Sequence, residues 1–405
     1  MRLLFASDVY PSPLDRGDRV RVRRLLEACA RAFEVTFIGP RPHDNIIDDL
    51  LGSGIRFIFF ERQSRFWNPR MLIRGMRTSI GIPTKMLVYR INFLKALDRV
   101  DVGKFDLIWA ERPHIGRLFA QYREKTIVDF DDITHIRMKR RFQLQKPSIG
   151  LIGNFYSYAV YRFAEVHLFR KYLGVLVCSE EDRQYLLAKR SGNVFVVPNG
   201  VDIRAENPNT DSPIRGGKLR LVFLGNMEHP ANVDAIRYFS TEILPHAKSF
   251  VESLDVIGPK TPKSLEDELA KHVRFLGFQD NLGECLRQYD AMIAPIRFGS
   301  GTKLKVLEGM ASGIPLVISS CAAEGLELTN GTHALIADAP QEIVAALSAL
   351  VNSPQLGMNL ASAAKELAIQ RFSWAAIQSA LEGRLKELVS SVPEGFEAQS
   401  KTVSD

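Results

Sequence analysis

The chain has 405 residues, enough for about two domains, and 46% of them are hydrophobic while 24% are charged. This balance is typical of a folded protein and argues against disorder outside the chain ends. With no run of about 18 apolar residues and no secretory signal at the N-terminus, the sequence predicts a cytoplasmic protein. The four cysteines lie far apart and suggest neither a zinc site nor a disulfide framework.

The first half of the chain repeats a strand, loop and helix pattern that is typical of a parallel α/β sheet. Apolar runs predict a strand near residues 2–8, and a helix is predicted over residues 19–33 after a polar loop. The later predicted strands of this half are EVTFIGP, RFIFFE, FDLIWAE, TIVDFDD, GVLVCSE and VFVVPNG. We therefore expect residues 1–202 to form one Rossmann-like domain.

The second half shows the same pattern after a linker. Residues 203–218 have the Pro, Gly, Asn and charge content of a linker, and residues 219–371 are predicted to form a second Rossmann-like domain. The predicted strands of this domain are LRLVFLG, SLDVIGP, VRFLGF, AMIAP, IPLVISS and HALIAD. A last helix is expected over residues 372–391, and residues 392–405 are expected to be a flexible tail.

The net charge of +7 is unevenly distributed. Residues 62–171 contain 22 Lys and Arg against 9 Asp and Glu, a net charge of +13, and aromatic side chains are interleaved with these cations. This composition suits binding to an anionic membrane surface, but solvated basic helix faces give the same pattern. No nucleic-acid recognition motif accompanies the charge, so nucleic acid is not a predicted partner.

The most informative segment is PIRFGSGTKLKVLEGMASGIPLV, residues 295–317. It predicts a strand end, a Gly-rich turn and a helix that begins near Thr302. Glycines let a ligand approach the backbone, and the unpaired amides of a helix N-terminus bind anions. Lys303 and Lys305 lie in the first helical turn, where a cation is unfavourable unless an anion is bound. The turn therefore predicts a phosphate site, with Arg297 just before it.

Glu308 follows Lys305 by three residues and so shares its helix face. A carboxylate one turn inside a phosphate-binding helix can accept hydrogen bonds from ribose hydroxyls. A surface Lys–Glu pair after an ordinary loop is the alternative, and the spacing alone leaves both open. The segment is not a GxxxxGK[ST] phosphate loop, and no strand leads into GxGxxG, which argues against a dinucleotide oxidoreductase.

The chain resembles the retaining family 4 glycosyltransferases with the GT-B fold, in particular the sugar transferases of exopolysaccharide gene clusters. Besides residues 295–317, the resemblance rests on LVFLGNMEHPANVDAIRYF, AAEGLELTNGTHALIAD, SPLDRGDRVRVRRLL, FDLIWAERP and NVFVVPNGVD. It implies two Rossmann-like domains facing a central cleft, with the last helix packing back toward the first domain. It also implies transfer of a sugar from a nucleoside diphosphate donor to a hydroxyl of a glycan or lipid-linked saccharide, without a metal or other cofactor.

The resemblance also implies roles for individual residues. Glu308 is the expected ribose acceptor, and the other expected donor-binding residues are Gly17, Gly301, Thr302 and Lys303. A first Glu that often contacts the sugar in this family is Ser300 here, and the usual Arg after the Gly that opens the second domain is Asn226. Because a leaving diphosphate needs cationic stabilisation, Arg297 and Lys305 are predicted to supply it and to act in catalysis with Glu308.

Four further residues are predicted to contact the sugar or acceptor. They are Arg21 in the first predicted helix, Glu111 and His114 just after a strand of the first domain, and Ser300 in the Gly-rich turn. A lipid-linked acceptor would place the protein at the inner membrane face, with the basic stretch toward the bilayer. A non-catalytic nucleotide-sugar-binding protein is one alternative function, because the first Glu is missing.

The motif TIVDFDDIT supports another alternative. Its strand ends in Asp129, Asp131 and Asp132, which resembles the DxD metal motif of another glycosyltransferase class and the nucleophile motif of haloacid-dehalogenase-type phosphatases. Either would bind Mg²⁺. The Thr that such a phosphatase has two residues after Asp131 is Ile133 here. We expect these acids to line a cleft or cap a loop, with a Mg²⁺-dependent phosphatase or phosphotransferase as the alternative.

Overall fold

The structure is a computed structural model. It describes residues 1–14, 17–42, 54–61, 87–136, 138–139, 150–203, 217–279, 281–298 and 304–390. Several predicted features lie outside these residues, namely Ser300, Gly301, Thr302, Lys303, most of the linker and the tail from residue 392. The chain divides into two compact units. Unit 1 comprises residues 1–198 and the segment from residue 377, and unit 2 comprises residues 199–376.

Unit 1 contains a seven-stranded parallel sheet in the order β3-β2-β1-β4-β5-β6-β7. The strands are β1 Arg2–Ala6, β2 Glu34–Pro40, β3 Arg56–Phe60, β4 Leu107–Glu111, β5 Thr126–Asp129, β6 Gly174–Val177 and β7 Val194–Val196. The helices are α1 Gly17–Ala32, α2 Leu87–Leu97, α3 Pro113–Gly116, α4 Gly150–His167 and α5 Glu180–Leu187. All strands except β3 and β7 are buried along their whole length or all but the first residue, as expected for a parallel sheet with both faces covered.

Aromatic side chains fill the centre of unit 1. The rings of Phe5 on β1 and Trp109 on β4 stack with their centres 5.4 Å apart, and Phe37 on β2 lies 5.9 Å from Phe5. All three side chains are completely buried. These neighbouring strands are therefore joined by ring packing as well as by their hydrogen bonds.

Unit 2 contains a six-stranded parallel sheet in the order β10-β9-β8-β11-β12-β13. The strands are β8 Leu219–Leu224, β9 Val251–Ile257, β10 Arg274–Gly277, β11 Ala291–Ala294, β12 Leu316–Ile318 and β13 Leu335–Ile336. The helices are α6 Pro230–Tyr238, α7 Leu244–Ala247, α8 Lys263–Leu269, α9 Leu282–Leu286, α10 Leu304–Ser312, α11 Ser320–Ala323, α12 Pro340–Asn352 and α13 Pro354–Leu367.

The last helix, α14 Trp374–Ser390, joins unit 1 from residue 377 onward. Gln378 donates to the carbonyl oxygen of Arg24 on α1 at 2.7 Å, and Arg31 donates to Gln378 at 2.9 Å and to Glu382 at 3.1 Å. These polar contacts hold α14 against α1.

Each strand lies within a run, or at most two residues beyond a run, that the sequence predicted as a strand. The prediction of two Rossmann-like domains with parallel sheets is therefore confirmed. In the part of the chain that the structure describes, no helix combines the length and the apolar character needed to cross a membrane.

Candidate functional site

The strand order marks one place in each unit where a ligand is expected. In unit 1, β1 lies between β2 and β4, and in unit 2, β8 lies between β9 and β11. At such a switch point, the connections from the central strand and from its neighbour leave toward opposite faces of the sheet. A crevice therefore opens outside the carboxyl ends of the two strands, and ligands of parallel α/β sheets bind there.

The backbone is tightly packed where β8 and β9 end in unit 2. Gly258 follows β9 with φ +154°, and a Cβ atom on it would lie 2.0 Å from the carbonyl oxygen of Gly225. Only glycine fits this approach. The loop after β8 is thereby held in place beside the crevice.

Lys305 reaches the end of β8 from α10. Its Nζ donates to Oδ1 of Asn232 and lies 4.4 Å from the ring centre of Phe223 on β8. Asn232 in turn donates to the carbonyl oxygen of Asn226 at 2.8 Å. A Cβ atom on Gly225 would lie 3.0 Å from Nζ of Lys305, so the ammonium group lies close to the backbone that follows β8. The structure thus brings a cation from α10 to the switch point of unit 2.

Glu308 lies three residues after Lys305 on the same helix, and both side chains are half-buried. The next residue, Gly309, packs so closely that a Cβ atom would lie 2.7 Å from Sδ of Met292 on β11. Helix α10 is therefore fixed on the sheet, and it presents a cation and a carboxylate at neighbouring positions. Such a pair can bind a phosphate group and a hydroxyl group that lie side by side in one ligand.

Arg297, the other predicted phosphate cation, has different partners. Its guanidinium donates to both carboxylate oxygens of Asp234, at 2.9 and 2.5 Å, and lies 4.5 Å from the ring centre of Tyr238. The hydrogen bonds to Asp234 raise the pKa of Arg297 above its usual value. Half of the side chain remains exposed. The charge of Arg297 is thus matched by α6, whereas Lys305 lies beside the end of β8.

The switch point of unit 1 contains a cluster of charged side chains. Nε2 of His114 lies 3.0 Å from Oδ2 of Asp8. Arg112 donates to Oε1 of Glu111 at 3.1 Å, and Ser7 donates to Oε2 of the same carboxyl group at 2.7 Å. The structure therefore brings the predicted residues Glu111 and His114 close to Asp8, which follows β1.

Arg112 shapes this cluster through its backbone. Its φ of +76° lies in the left-handed region, which a non-glycine residue rarely adopts. The backbone N–H of Arg112 donates to the carbonyl oxygen of Asp129 at 2.7 Å, and its guanidinium lies 3.3 Å from Oδ2 of Asp18 on α1. Gly17, predicted to contact the donor, is the first residue of α1 and directly precedes Asp18. The side chain of Arg112 thus lies among three acids: Asp8 after β1, Asp18 on α1 and Glu111 at the end of β4.

The two buried carboxyl groups of the cluster differ in protonation. Burial raises the pKa of Glu111 to about 8, against the opposing charge of Arg112. Burial acts in the same direction on Asp8, but His114 and Arg112 outweigh it and hold the pKa of Asp8 at about 2. At neutral pH the cluster therefore holds one ionised and one largely protonated carboxyl group, a pair suited to binding polar hydroxyl groups.

Arg21, predicted to contact the sugar or acceptor, is not at the surface. Its side chain is 2% exposed, with Nη2 and Nε donating to the two oxygens of Asp129 at 3.0 and 3.2 Å. Nη1 donates to the carbonyl oxygen of Val197 at 3.0 Å. The prediction that Arg21 contacts the sugar or acceptor is therefore wrong, because a buried carboxylate holds its side chain in the interior.

The ion pair with Arg21 involves Asp129, the first acid of the TIVDFDDIT motif. Asp129 is fully buried against Arg21, and its Oδ1 accepts the backbone N–H of Asp131 at 3.0 Å, which caps the loop. Asp129 is thus committed to structural contacts, and the phosphatase alternative loses its nucleophile. Within the described ranges, no group of three His, Cys, Asp or Glu side chains is arranged to hold a metal ion.

Sequence reasoning missed four polar residues, three at the two switch points and one that pairs with Arg297. They are Asp8, Arg112, Asn232 and Asp234. Asp8 lies two residues after β1 and Arg112 directly follows β4, so their position after a strand was a usable signal. Asn232 and Asp234 lie in the first turns of α6, and only their contacts to Lys305 and Arg297 distinguish them from ordinary helix residues.

Comparisons with known proteins agree with this architecture. Residues 218–353 match the sequence model of the family described as Glycosyl transferases group 1. A search among curated proteins gave no match. Among solved structures, sucrose-phosphate synthase from Thermosynechococcus elongatus is similar with a TM-score of 0.71 and 16% identity, covering 96% of this chain and 99% of that one.

Two further structures are similar over comparable lengths. Anabaena Alr3699/HepE in complex with UDP has a TM-score of 0.64 at 16% identity, covering 96% of this chain and 100% of that one. WaaG, a glycosyltransferase involved in lipopolysaccharide biosynthesis, has a TM-score of 0.64 at 12% identity. The match covers 97% of this chain and 100% of that one. The predicted GT-B fold is confirmed by these likenesses, and the match to the group 1 glycosyltransferase model lies within unit 2.

Proposed function

We propose that this protein is a retaining glycosyltransferase that moves a sugar from a nucleoside diphosphate to an acceptor hydroxyl. The observation that carries the proposal is that Lys305 of α10 lies beside the end of β8 at the switch point of unit 2, in the segment that matches the group 1 glycosyltransferase model. Glu308 follows three residues later on the same helix. Lys305 would bind the diphosphate, and Glu308 would accept hydrogen bonds from the ribose hydroxyls. The UDP in the similar HepE structure makes UDP-sugars the first donors to test.

The proposed reaction needs no protein nucleophile. The bond between the sugar C1 and the diphosphate oxygen breaks, and the acceptor oxygen bonds to C1 on the same face of the ring. The acceptor proton passes to the leaving diphosphate. Lys305 stabilises the negative charge that develops on this group, so no metal ion is required. Arg297 is the weaker candidate for this role, because Asp234 already accepts two of its N–H donors and balances its charge.

The proposed acceptor is a glycan or a lipid-linked saccharide in polysaccharide or glycoconjugate biosynthesis. The likeness to WaaG, which takes part in lipopolysaccharide biosynthesis, supports this class of pathway. His114 is the proposed acceptor contact, because its ring and the Asp8 carboxylate can donate and accept hydrogen bonds. The side chain of Glu111 is only 3% exposed, so Glu111 would position Arg112 and Ser7 rather than touch the acceptor. Exopolysaccharide assembly is the pathway that we favour on sequence resemblance.

Turnover and product analysis test the proposal. The enzyme is incubated with UDP-, GDP- and ADP-sugars and a panel of saccharide acceptors, with and without EDTA, and the product is examined by NMR. We expect one donor class to be consumed with retained anomeric configuration and unchanged rate in EDTA. Loss of turnover in Lys305→Ala, with Arg297→Ala less affected, would support the assignment of Lys305. An inverted product would contradict the mechanism, and donor binding without turnover would instead identify a nucleotide-sugar-binding protein.

A further inference from the structure

Helix α4 exposes two large aromatic side chains to water. Phe155 is 65% exposed and Phe163 is 58% exposed, and Leu168, directly after the helix, is 38% exposed. Ala159 lies between the two aromatic residues on the same side and is exposed as well. Leaving apolar surface of this size in water is unfavourable, so a contiguous exposed group of this kind marks a contact surface.

The sequence segment that contains this helix carries almost only positive charges. Residues 133–179 contain eight Lys and Arg but a single acidic residue, Glu165. Cations described on the surface near the aromatic residues are Arg162, Arg170 and Lys171, all exposed. Glu165 is fully buried, so residues 133–179 present no exposed carboxylate. Most of this segment lies within residues 62–171, which carry the net charge of +13.

Glu165 is held inward by a network of hydrogen bonds. It accepts the backbone N–H groups of Thr134 at 3.0 Å and of His135 at 3.1 Å. Its Oε2 also lies 2.6 Å from Nδ1 of His135, whose Nε2 lies 2.8 Å from the hydroxyl of Tyr185. These contacts anchor one side of α4 in unit 1 and leave its opposite side to solvent.

We infer that the α4 outer face, defined by Phe155, Ala159, Arg162, Phe163, Leu168 and Lys171, binds an anionic lipid bilayer. The apolar side chains would enter the boundary between headgroups and acyl chains while the cations contact anionic headgroups. Self-association through this face would bring like charges together, which disfavours a second copy as the occupant. The inference does not depend on the proposed transfer reaction, because binding to vesicles needs neither donor nor acceptor.

Vesicle flotation tests the inference directly. The full-length protein is mixed with vesicles of phosphatidylcholine alone or of phosphatidylcholine with phosphatidylglycerol, at low salt and at about 1 M salt, where the Debye length falls to about 3 Å. We expect binding only to the anionic vesicles at low salt. The variant Phe155→Ser/Phe163→Ser should lower the partition coefficient about tenfold or more. Its matched control is Phe278→Ser, which removes a 62% exposed Phe from unit 2.

A charge variant separates the electrostatic contribution. Arg162→Gln/Lys171→Gln should weaken binding and flatten its salt dependence, whereas Lys263→Gln/Lys271→Gln, which removes two exposed lysines of unit 2, should have no effect. Circular dichroism and the melting temperature verify that each variant is folded. Equal binding of the wild type to neutral and anionic vesicles, or binding unaffected by the Phe pair, would overturn the inference. Self-association that depends on Phe155 would also overturn it and would identify a dimer interface instead.

Discussion

At the residue scale, the contrast between Lys305 and Arg21 shows what local sequence can predict. The position of Lys305 in a helix after a Gly-rich turn predicted a cation near a ligand crevice. The structure places Lys305 beside the end of β8, while its contact with phosphate stays a prediction. Arg21 is one of four arginines in the first two turns of α1. It is the one that faces inward because it pairs with Asp129, which lies 108 positions away in the sequence. Local periodicity carries no information about such a partner.

The buried ion pair predicts a large stability effect. Arg21→Met would leave Asp129 buried without its cation, so we expect the free energy of unfolding to fall by about 3–5 kcal/mol. Urea denaturation followed by circular dichroism measures this change. Arg384→Met, which removes an exposed pair with Glu387 on α14, should cost no more than about 1 kcal/mol. Equal effects of the two substitutions would show that the Arg21 pair does not stabilise the interior.

Glu111 predicts a pH dependence of stability. Its pKa is raised from 4.5 to about 8, so between these values the folded state keeps a proton that the unfolded chain releases. The stability from this group is therefore complete below pH 4.5 and is lost as the pH rises through about 8. Glu111→Gln should remove this loss, so urea unfolding should show the variant gaining stability relative to the wild type from about pH 5 to about pH 9. A difference that stays constant over this range would contradict the raised pKa.

Gly225 predicts a specific effect on ligand binding. In Gly225→Ala the new methyl group would lie 2.6 Å from Nδ2 of Asn232 and 3.0 Å from Nζ of Lys305. We expect these side chains to shift and the affinity for a nucleoside diphosphate, measured by calorimetry, to fall about tenfold or more. Because Asn232→Ala disturbs the same contact, the double variant should lose less than the sum of the two single losses. Additive losses would show that Gly225 and Asn232 act independently.

At the scale of elements, apolar runs identified the strands because parallel strands are buried on both faces. Strand ends were less predictable, since a run such as VFVVPNG extends beyond the last paired residue of β7, Val196. The order of strands depends on contacts between distant segments, so the central positions of β1 and β8, and with them the two switch points, required the structure. The candidate residues Lys305 and Glu308 were predicted from the sequence.

Two helical glycines predict opposite stability changes. No heavy atom lies within 4 Å of a Cβ atom placed on Gly383 in α14, so Gly383→Ala should raise the free energy of unfolding by about 0.5–1 kcal/mol. In α10, a Cβ atom on Gly309 would lie 2.7 Å from Met292 and 2.8 Å from Leu316. Gly309→Ala should therefore lower the free energy of unfolding by about 1–3 kcal/mol. Urea denaturation distinguishes the two. A stabilised Gly309→Ala variant would contradict the close packing of α10 on the sheet.

At the scale of the whole molecule, the two units share one topological feature. Each has its first strand at a switch point, with charged side chains beyond it, but the chemistry differs. Unit 1 gathers acids around Arg112, whereas unit 2 presents Lys305 and Glu308 from one helix. The sequence revealed the basic stretch and the aromatic residues within it. The exposure of Phe155 and Phe163 depends on which side of α4 packs on unit 1, which composition does not specify.

Calorimetric titration with nucleoside diphosphates tests the central claim, that α10 forms the donor site. The wild type, Lys305→Ala and Glu308→Ala are titrated with UDP, GDP and ADP, and Lys263→Ala and Glu366→Ala serve as controls from exposed positions of unit 2. We predict that one nucleotide binds the wild type and both controls alike, and that each α10 variant loses about 1.5–3 kcal/mol of binding free energy without a change in melting temperature. Undiminished affinity in both α10 variants, or no binding by the wild type, would contradict the claim.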